Sequence, residues 1–199
     1  MIVSHFKCPL NYDSFAMTTI LKYLSTFIGL SLSLLVYADE DQLLTDGRVL
    51  RSQCIASDKI DASVPAVEFY FGASTCIDAK QYEAAVELYI RGKLYGSFDT
   101  RRVPNKSAHN MLDVLDKSLF ERFNEEQLKE FKSLETSKTL DICNYPNKIV
   151  APNYPPFYMV GFVLGKPGGK SQELFKKDID ITKTWDDVVQ SFCNDDKQF

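Results

Sequence analysis

Residues 65–102, PAVEFYFGASTCIDAKQYEAAVELYIRGKLYGSFDTRR, constrain the fold most, because they spell two amphipathic helices joined by a turn at Asp78-Ala79-Lys80. In the first half Val67, Phe71, Ser74 and Ile77 recur near the helical period, and Phe69, Gly72, Ala73 and Cys76 fill the adjoining stripe. Tyr82, Ala85, Val86, Tyr89 and Leu94 continue the pattern after the turn. Small residues at Ala73, Ala85 and Gly92 let two backbones approach closely, while Phe69, Tyr82 and Tyr89 fill the ends. Glu83 and Glu87 near the start of the second helix, and Arg91 and Lys93 further along, complement its dipole. Gly96 is the expected end of that helix.

The run QYEAAVELY, with Ala73 ahead of it and Gly92 behind, resembles one tetratricopeptide-type (or Sel1-like) helical hairpin over residues 67–96. The resemblance implies a helical hairpin and a protein-binding mode of action. It assigns no groove, because no second copy occurs in the chain and such repeats need about three units for a continuous core.

Upstream, residues 17–38, MTTILKYLSTFIGLSLSLLVYA, have the layout of a secretory signal. Lys22 supplies the charged start, an apolar run follows over 24–36, and Val36-Tyr37-Ala38 offers small residues for cleavage. The run falls short of the roughly 20 apolar residues a membrane span needs. Met17 is the expected initiator, with residues 1–16 an over-extension of the reading frame; an uncleaved anchor is the alternative. Residues 39–199 then form the expected single helical domain of 161 residues. Losing Lys7, Lys22 and Asp13 with the leader takes the net charge from −4 to −5. With no run of five basic residues the chain is a poor candidate for nucleic acid or anionic lipid; a positively charged protein partner is compatible with it, though so small a charge is more simply what keeps a domain soluble.

Removal of Cys8 leaves Cys54, Cys76, Cys143 and Cys193, an even set that fits an oxidising compartment. Four cysteines allow three connectivities. Cys143 with Cys193, closing a long loop around the carboxyl-terminal section, is the favoured pair, and Cys54 with Cys76 follows by elimination. No spacing suits a zinc site.

A first helix is expected over 41–57, with Leu43, Leu44, Val49, Leu50 and Cys54 inward and Gly47 as its weak point. Residues 58–63 read as a loop, and Pro65 suits the first turn of the next helix. Beyond the hairpin, Pro104-Asn105 marks a turn and Ser107 a cap. A helix over 108–122 follows, striped by Met111, Leu112, Leu115, Leu119 and Phe120. Asn124 with Gln127 resembles a capping box opening a helix to about Lys138, with Leu128, Phe131 and Leu134 inward. Prolines then rule out a regular helix over much of 144–169, leaving FYMVGFVL as either strand or helix and 165–170 as a flexible turn. Thr184 and Asp187 read as a last helix start, with Trp185, Val188, Val189 and Phe192 inward, and 194–199 as a frayed end. The fold class is thus mainly α, an antiparallel array of five to six helices with a proline- and aromatic-rich irregular section.

Chemistry is sparse. His109 is the one histidine of the mature chain and the one candidate base near neutrality; beside the Ser107 cap it reads as structural. Asp99, Arg101 and Arg102 read as a clasp that fixes the exit from the hairpin, with His109 nearby. Glu125-Glu126 and Asp186-Asp187 fit first helical turns. Tyr154, Phe157 and Tyr158, among prolines, form a candidate partner-binding platform. No catalytic, cofactor or metal residue is assigned, and no phosphate loop, dinucleotide fingerprint or calcium loop occurs. The expected protein is an exported, bacterial periplasmic binding domain, for example an inhibitor or immunity protein. The alternatives are a small hydrolase using His109 or an acidic pair, and an envelope-anchored structural component.

Overall fold

The computed structural model describes residues 45–164 and 174–195. The leader, the first residues of the expected 41–57 helix, the 165–170 turn and residues 196–199 of the expected frayed end lie outside the described residues, whereas Asn194 and Asp195 of that end are helical. Among the described residues, six α-helices and three short 3-10 turns make up the regular structure, and the fold is mainly α, with no β-strand.

α1 (Ala66–Asp78) and α2 (Tyr82–Arg102) form the expected antiparallel pair. Lys80 closes the turn between them in the left-handed region, at φ 58°. Its N–H donates to the Ile77 carbonyl at 2.9 Å and the Gln81 N–H to the Cys76 carbonyl at 2.8 Å, so the freed carbonyls of α1 are satisfied. Ala73 and Ala85 are fully buried, and Gly92 lies so close to Tyr70 that a Cβ would sit 3.0 Å from that ring. The small residues act as close-approach points. On α1 the stripe through Phe69, Gly72, Ala73 and Cys76 faces the core, and Val67 and Ile77 of the other stripe are buried too, while Phe71 is left exposed under the Arg51 guanidinium.

Gly96 does not end α2, which continues to Arg102. Leu112 of α3 (Lys106–Phe120) explains the glycine: a Cβ at Gly96 would lie 2.6 Å from the Leu112 Cδ2. α3 is capped by the Asn105 carboxamide, which accepts from the Ser107 N–H at 3.0 Å, rather than by Ser107 itself. α4 (Glu125–Asn144) opens on a complete Asn124–Gln127 capping box and runs six residues beyond Lys138, held there because Thr139 and Ile142 still pack inward. The FYMVGFVL run is α5 (Phe157–Leu164). α6 (Ile181–Asp195) starts three residues before Thr184, its first turn capped by Asp180, which accepts from the Lys183 N–H at 2.9 Å.

The expected helix over 41–57 is not formed by its described part. Residues Gly47–Arg51 make one 3-10 turn capped by Asp46, and the chain then runs irregularly to Cys54. Gly47 is pressed onto α1 and its approach, where a Cβ would lie 2.7 Å from both Val64 Cγ1 and Glu68 Cγ. The backbone is thus pulled down onto the hairpin, and a continuing helix would lift it away. Pro65 is the residue before α1, at φ −64° and extended ψ, rather than within its first turn.

Both expected disulfides are present. Cys54–Cys76 ties the irregular amino-terminal segment to α1, and Cys143–Cys193 ties the end of α4 to α6. Aromatic rings fill the rest of the core in edge-on pairs, the geometry favoured by the ring quadrupole. Phe69–Tyr95, Tyr95–Trp185 and Phe98–Trp185, at 5.3, 5.8 and 5.7 Å, join α1, α2 and α6. Tyr70–Tyr89 and Tyr89–Phe131, at 5.7 and 5.6 Å, extend the core to α4. A small second cluster of Val103, Ala108, Met159 and Val160 seats α5 against α3. No helix among the described residues is long and apolar enough to cross a membrane.

Candidate functional site

The most heavily bonded polar group in the interior is the Asp99 carboxylate, fully buried in the last turns of α2. A carboxylate taken out of water survives only when donors replace its hydration. Arg102, one turn on, donates to Oδ1. The hydroxyls of Tyr154 and Tyr158 donate to Oδ2 at 2.9 and 2.8 Å. The Tyr154 hydroxyl in turn accepts from the Ala66 N–H at 2.8 Å, and Arg102 Nη1 donates to the Tyr154 carbonyl at 2.7 Å. Arg102 Nε is buried without a partner, and the guanidinium lies over the Phe98 and Tyr154 rings. Burial pushes the Asp99 carboxyl up to about 6, against the opposing pull of Arg102 and the tyrosine hydrogen bonds. Burial, helped by the Asp99 charge, also holds the Tyr154 and Tyr158 hydroxyls well above their ordinary value.

This network joins the start of α1, the end of α2 and the proline-rich segment. None of the three described cavities is lined by Asp99, so no substrate reaches it through them. Arg101 and His109 stand apart from it. Arg101 is exposed, and the His109 ring is held by Nε2, 2.9 Å from the Val103 carbonyl. Among the described residues no hydrogen bond joins His109 to a serine, as a hydrolytic pair would require.

The platform residues divide. Tyr154 is buried and Tyr158 half-buried, both with their hydroxyls turned into the clasp. Phe157 is 59 % exposed and packs edge-on against Phe175 at 5.2 Å. Two further pins hold the segment: Tyr95 donates to the Val150 carbonyl at 3.0 Å, and the Asn153 N–H donates to the Ala62 carbonyl at 3.1 Å. Between these pins the Val150 side chain is left 63 % exposed. It borders a cleft of about 590 Å³ whose apolar walls are Pro146, Ile149, Trp185 and Val189, with the Cys143–Cys193 disulfide at one side. Tyr145, directly before Pro146, is 59 % exposed.

Of the acidic pairs, Glu125 and Glu126 are exposed in the first turn of α4. Asp186 lines the cleft, while Asp187 pairs with Lys183 at 2.6 Å. Among the described residues no group of three His, Cys, Asp or Glu side chains could hold a metal.

Sequence reasoning missed a further inward carboxyl, the half-buried Asp116. It is pushed up by burial beside the Tyr70 and Tyr89 hydroxyls, and its Oδ1 has no partner. Its place on the same face as Leu112, Leu115 and Leu119 was the available signal. The cleft beside Val150 was also missed, because its walls come from two stretches of chain, 143–151 and 185–193, far apart in sequence.

No protein-family model matches the chain, and neither a curated protein nor a solved structure matches it.

Proposed function

We propose that this protein is an exported, periplasmic domain that works by binding another protein, with the cleft between residues 146–151 and α6 as the docking face. The observation that carries the reading is the pinned proline-rich segment. Its backbone is held at Val150, Asn153 and Tyr154, yet Val150 itself stays exposed at the rim of an apolar cleft. A preordered surface loses little conformational entropy on association, which favours binding over exposed loops of the same composition. Trp185 and Val189 give the cleft the aromatic and aliphatic lining that interface centres use. Two disulfides support export. The tetratricopeptide-like hairpin is consistent with a binding module, though here it serves as the packing centre, with most of its apolar residues buried. An inhibitor or immunity protein is one concrete form.

The test is affinity capture from the native cell envelope with the full exported chain, in parallel with Val150→Asp and Val189→Ser variants. A specific partner should be retained by the parent and lost by both variants at unchanged melting temperature. Retention by both variants, or turnover of a substrate that His109→Ala abolishes without unfolding, would overturn the reading.

A further inference from the structure

The far side of α6 faces a second cavity of about 530 Å³ with a different chemistry. Lys93, Arg101, His109 and Lys176 line it, and no Asp or Glu does, although the chain as a whole carries a net charge of −4. Lys93 is partly neutralised by Glu135 at 3.4 Å. The other cations are not: neither Arg101 nor Lys176 forms an ion pair among the described residues. Arg101 also differs from the other arginines in having no side-chain hydrogen bond among the described residues. Arg48, Arg51, Arg102 and Arg122 are each bonded to a carboxylate, and Arg91 donates to the Ser57 carbonyl.

Hydroxyls share the wall. Thr100 is committed to the Ser97 carbonyl at 2.7 Å, but the Ser97 and Ser191 hydroxyls have no partner among the described residues. Val188 and Phe192 of α6 add apolar lining. A guanidinium fork, an ammonium and two free hydroxyls offer more donors than the two oxygens of a carboxylate can use. They match an oxyanion with three terminal oxygens. The volume suits a small organic ligand rather than a bare ion.

We propose that this cavity binds a small organic phosphate monoester, with the phosphate on Arg101 and Lys176, the serine hydroxyls as further donors, and its apolar body against Val188 and Phe192. The site is separate from the protein-docking cleft. Trp185, Asp186 and Val189 of α6 face the cleft, whereas Val188, Ser191 and Phe192 face the cavity.

The experiment titrates the full, disulfide-intact chain with phenyl phosphate, inorganic phosphate and benzoate, by calorimetry and by amide NMR shifts. Phenyl phosphate should bind at one site, more tightly than inorganic phosphate, with shifts confined to the cavity lining at residues 93, 97–101, 109, 176 and 188–192. Arg101→Gln and Lys176→Gln, both at exposed positions, should each weaken it by about tenfold without changing the melting temperature, while Lys129→Gln on α4 should not. Benzoate binding as tightly as phenyl phosphate would overturn the phosphate assignment. Absent binding, shifts elsewhere, or binding unmoved by both cavity variants would overturn the site.

Discussion

The Tyr154 hydroxyl donates to Asp99 Oδ2 at 2.9 Å while accepting from the Ala66 N–H at 2.8 Å, so one phenol joins the last turns of α2 to the first residue of α1. Tyr158 donates to the same carboxylate oxygen but serves no other group. Truncation of Tyr154 therefore leaves two buried groups short of a partner, and truncation of Tyr158 leaves one. Tyr154→Phe should destabilise by about 1–3 kcal/mol, and Tyr158→Phe by less. Urea unfolding of both variants checks the order; an equal or reversed ranking would contradict the bridging role of Tyr154.

The pH dependence of stability should carry the mark of Asp99. Its carboxyl titrates at about 6 in the folded protein against 3.8 for the unperturbed group, with burial as the leading cause. The folded state therefore holds this proton more tightly, and stability from this group rises as pH falls from about 7 towards 4. A rise of this size corresponds to roughly 3 kcal/mol. Asp99→Asn removes the titration, so the stability of the parent relative to the variant should increase on acidification across that window. A difference that is flat, or that shrinks as pH falls, would reverse the assignment.

Removing the Cys143–Cys193 crosslink, by changing both residues to Ala, should cost about 4 kcal/mol for its separation of 50 residues, and Cys54–Cys76 about 3 kcal/mol for 22. The ranking is open to a competing effect, because Cys76 is fully buried whereas Cys143 and Cys193 are half-buried. If the cavity left at Cys76 dominates, Cys54→Ala/Cys76→Ala will be the worse variant. Thermal melting of the two double variants separates chain constraint from packing.

Gly47→Ala tests whether the amino-terminal segment is pressed onto the hairpin. The new methyl would sit 2.7 Å from Val64 Cγ1 and from Glu68 Cγ. Val64 is fully buried and Glu68 is bonded to Arg51, so neither moves freely. A loss of about 1–3 kcal/mol is expected from overpacking. A gain, as alanine would give in an exposed helix, would mean that the segment is loosely held.

Much of the helical plan is legible because its signals are local. Asn124 and Gln127 are three residues apart, and their reciprocal hydrogen bonds need nothing from elsewhere in the chain. Gly96 reads as a stop for a related reason: its lack of a side chain is visible, while Leu112 on the crossing helix is not. The 41–57 stretch misleads in the opposite direction. Its apolar spacing is helical, but contact with Val64 and Glu68 and the bond to Cys76 decide its path. At Asp99 the partner one turn away, Arg102, is apparent from spacing. The two tyrosines, 55 and 59 residues on, become visible only when the proline-rich segment folds back.

That separation bears on the order in which the molecule can assemble. The hairpin is built from contacts close in sequence, the kind that form early. Until residues 154 and 158 arrive, however, Asp99 has only Arg102 to replace the water it loses. A chain cut short before Tyr154 would have to keep this end of α2 wet and open. The last turns of α2 thus act as a checkpoint for completeness: the interior can seal only around a chain that has been made at least as far as Tyr158.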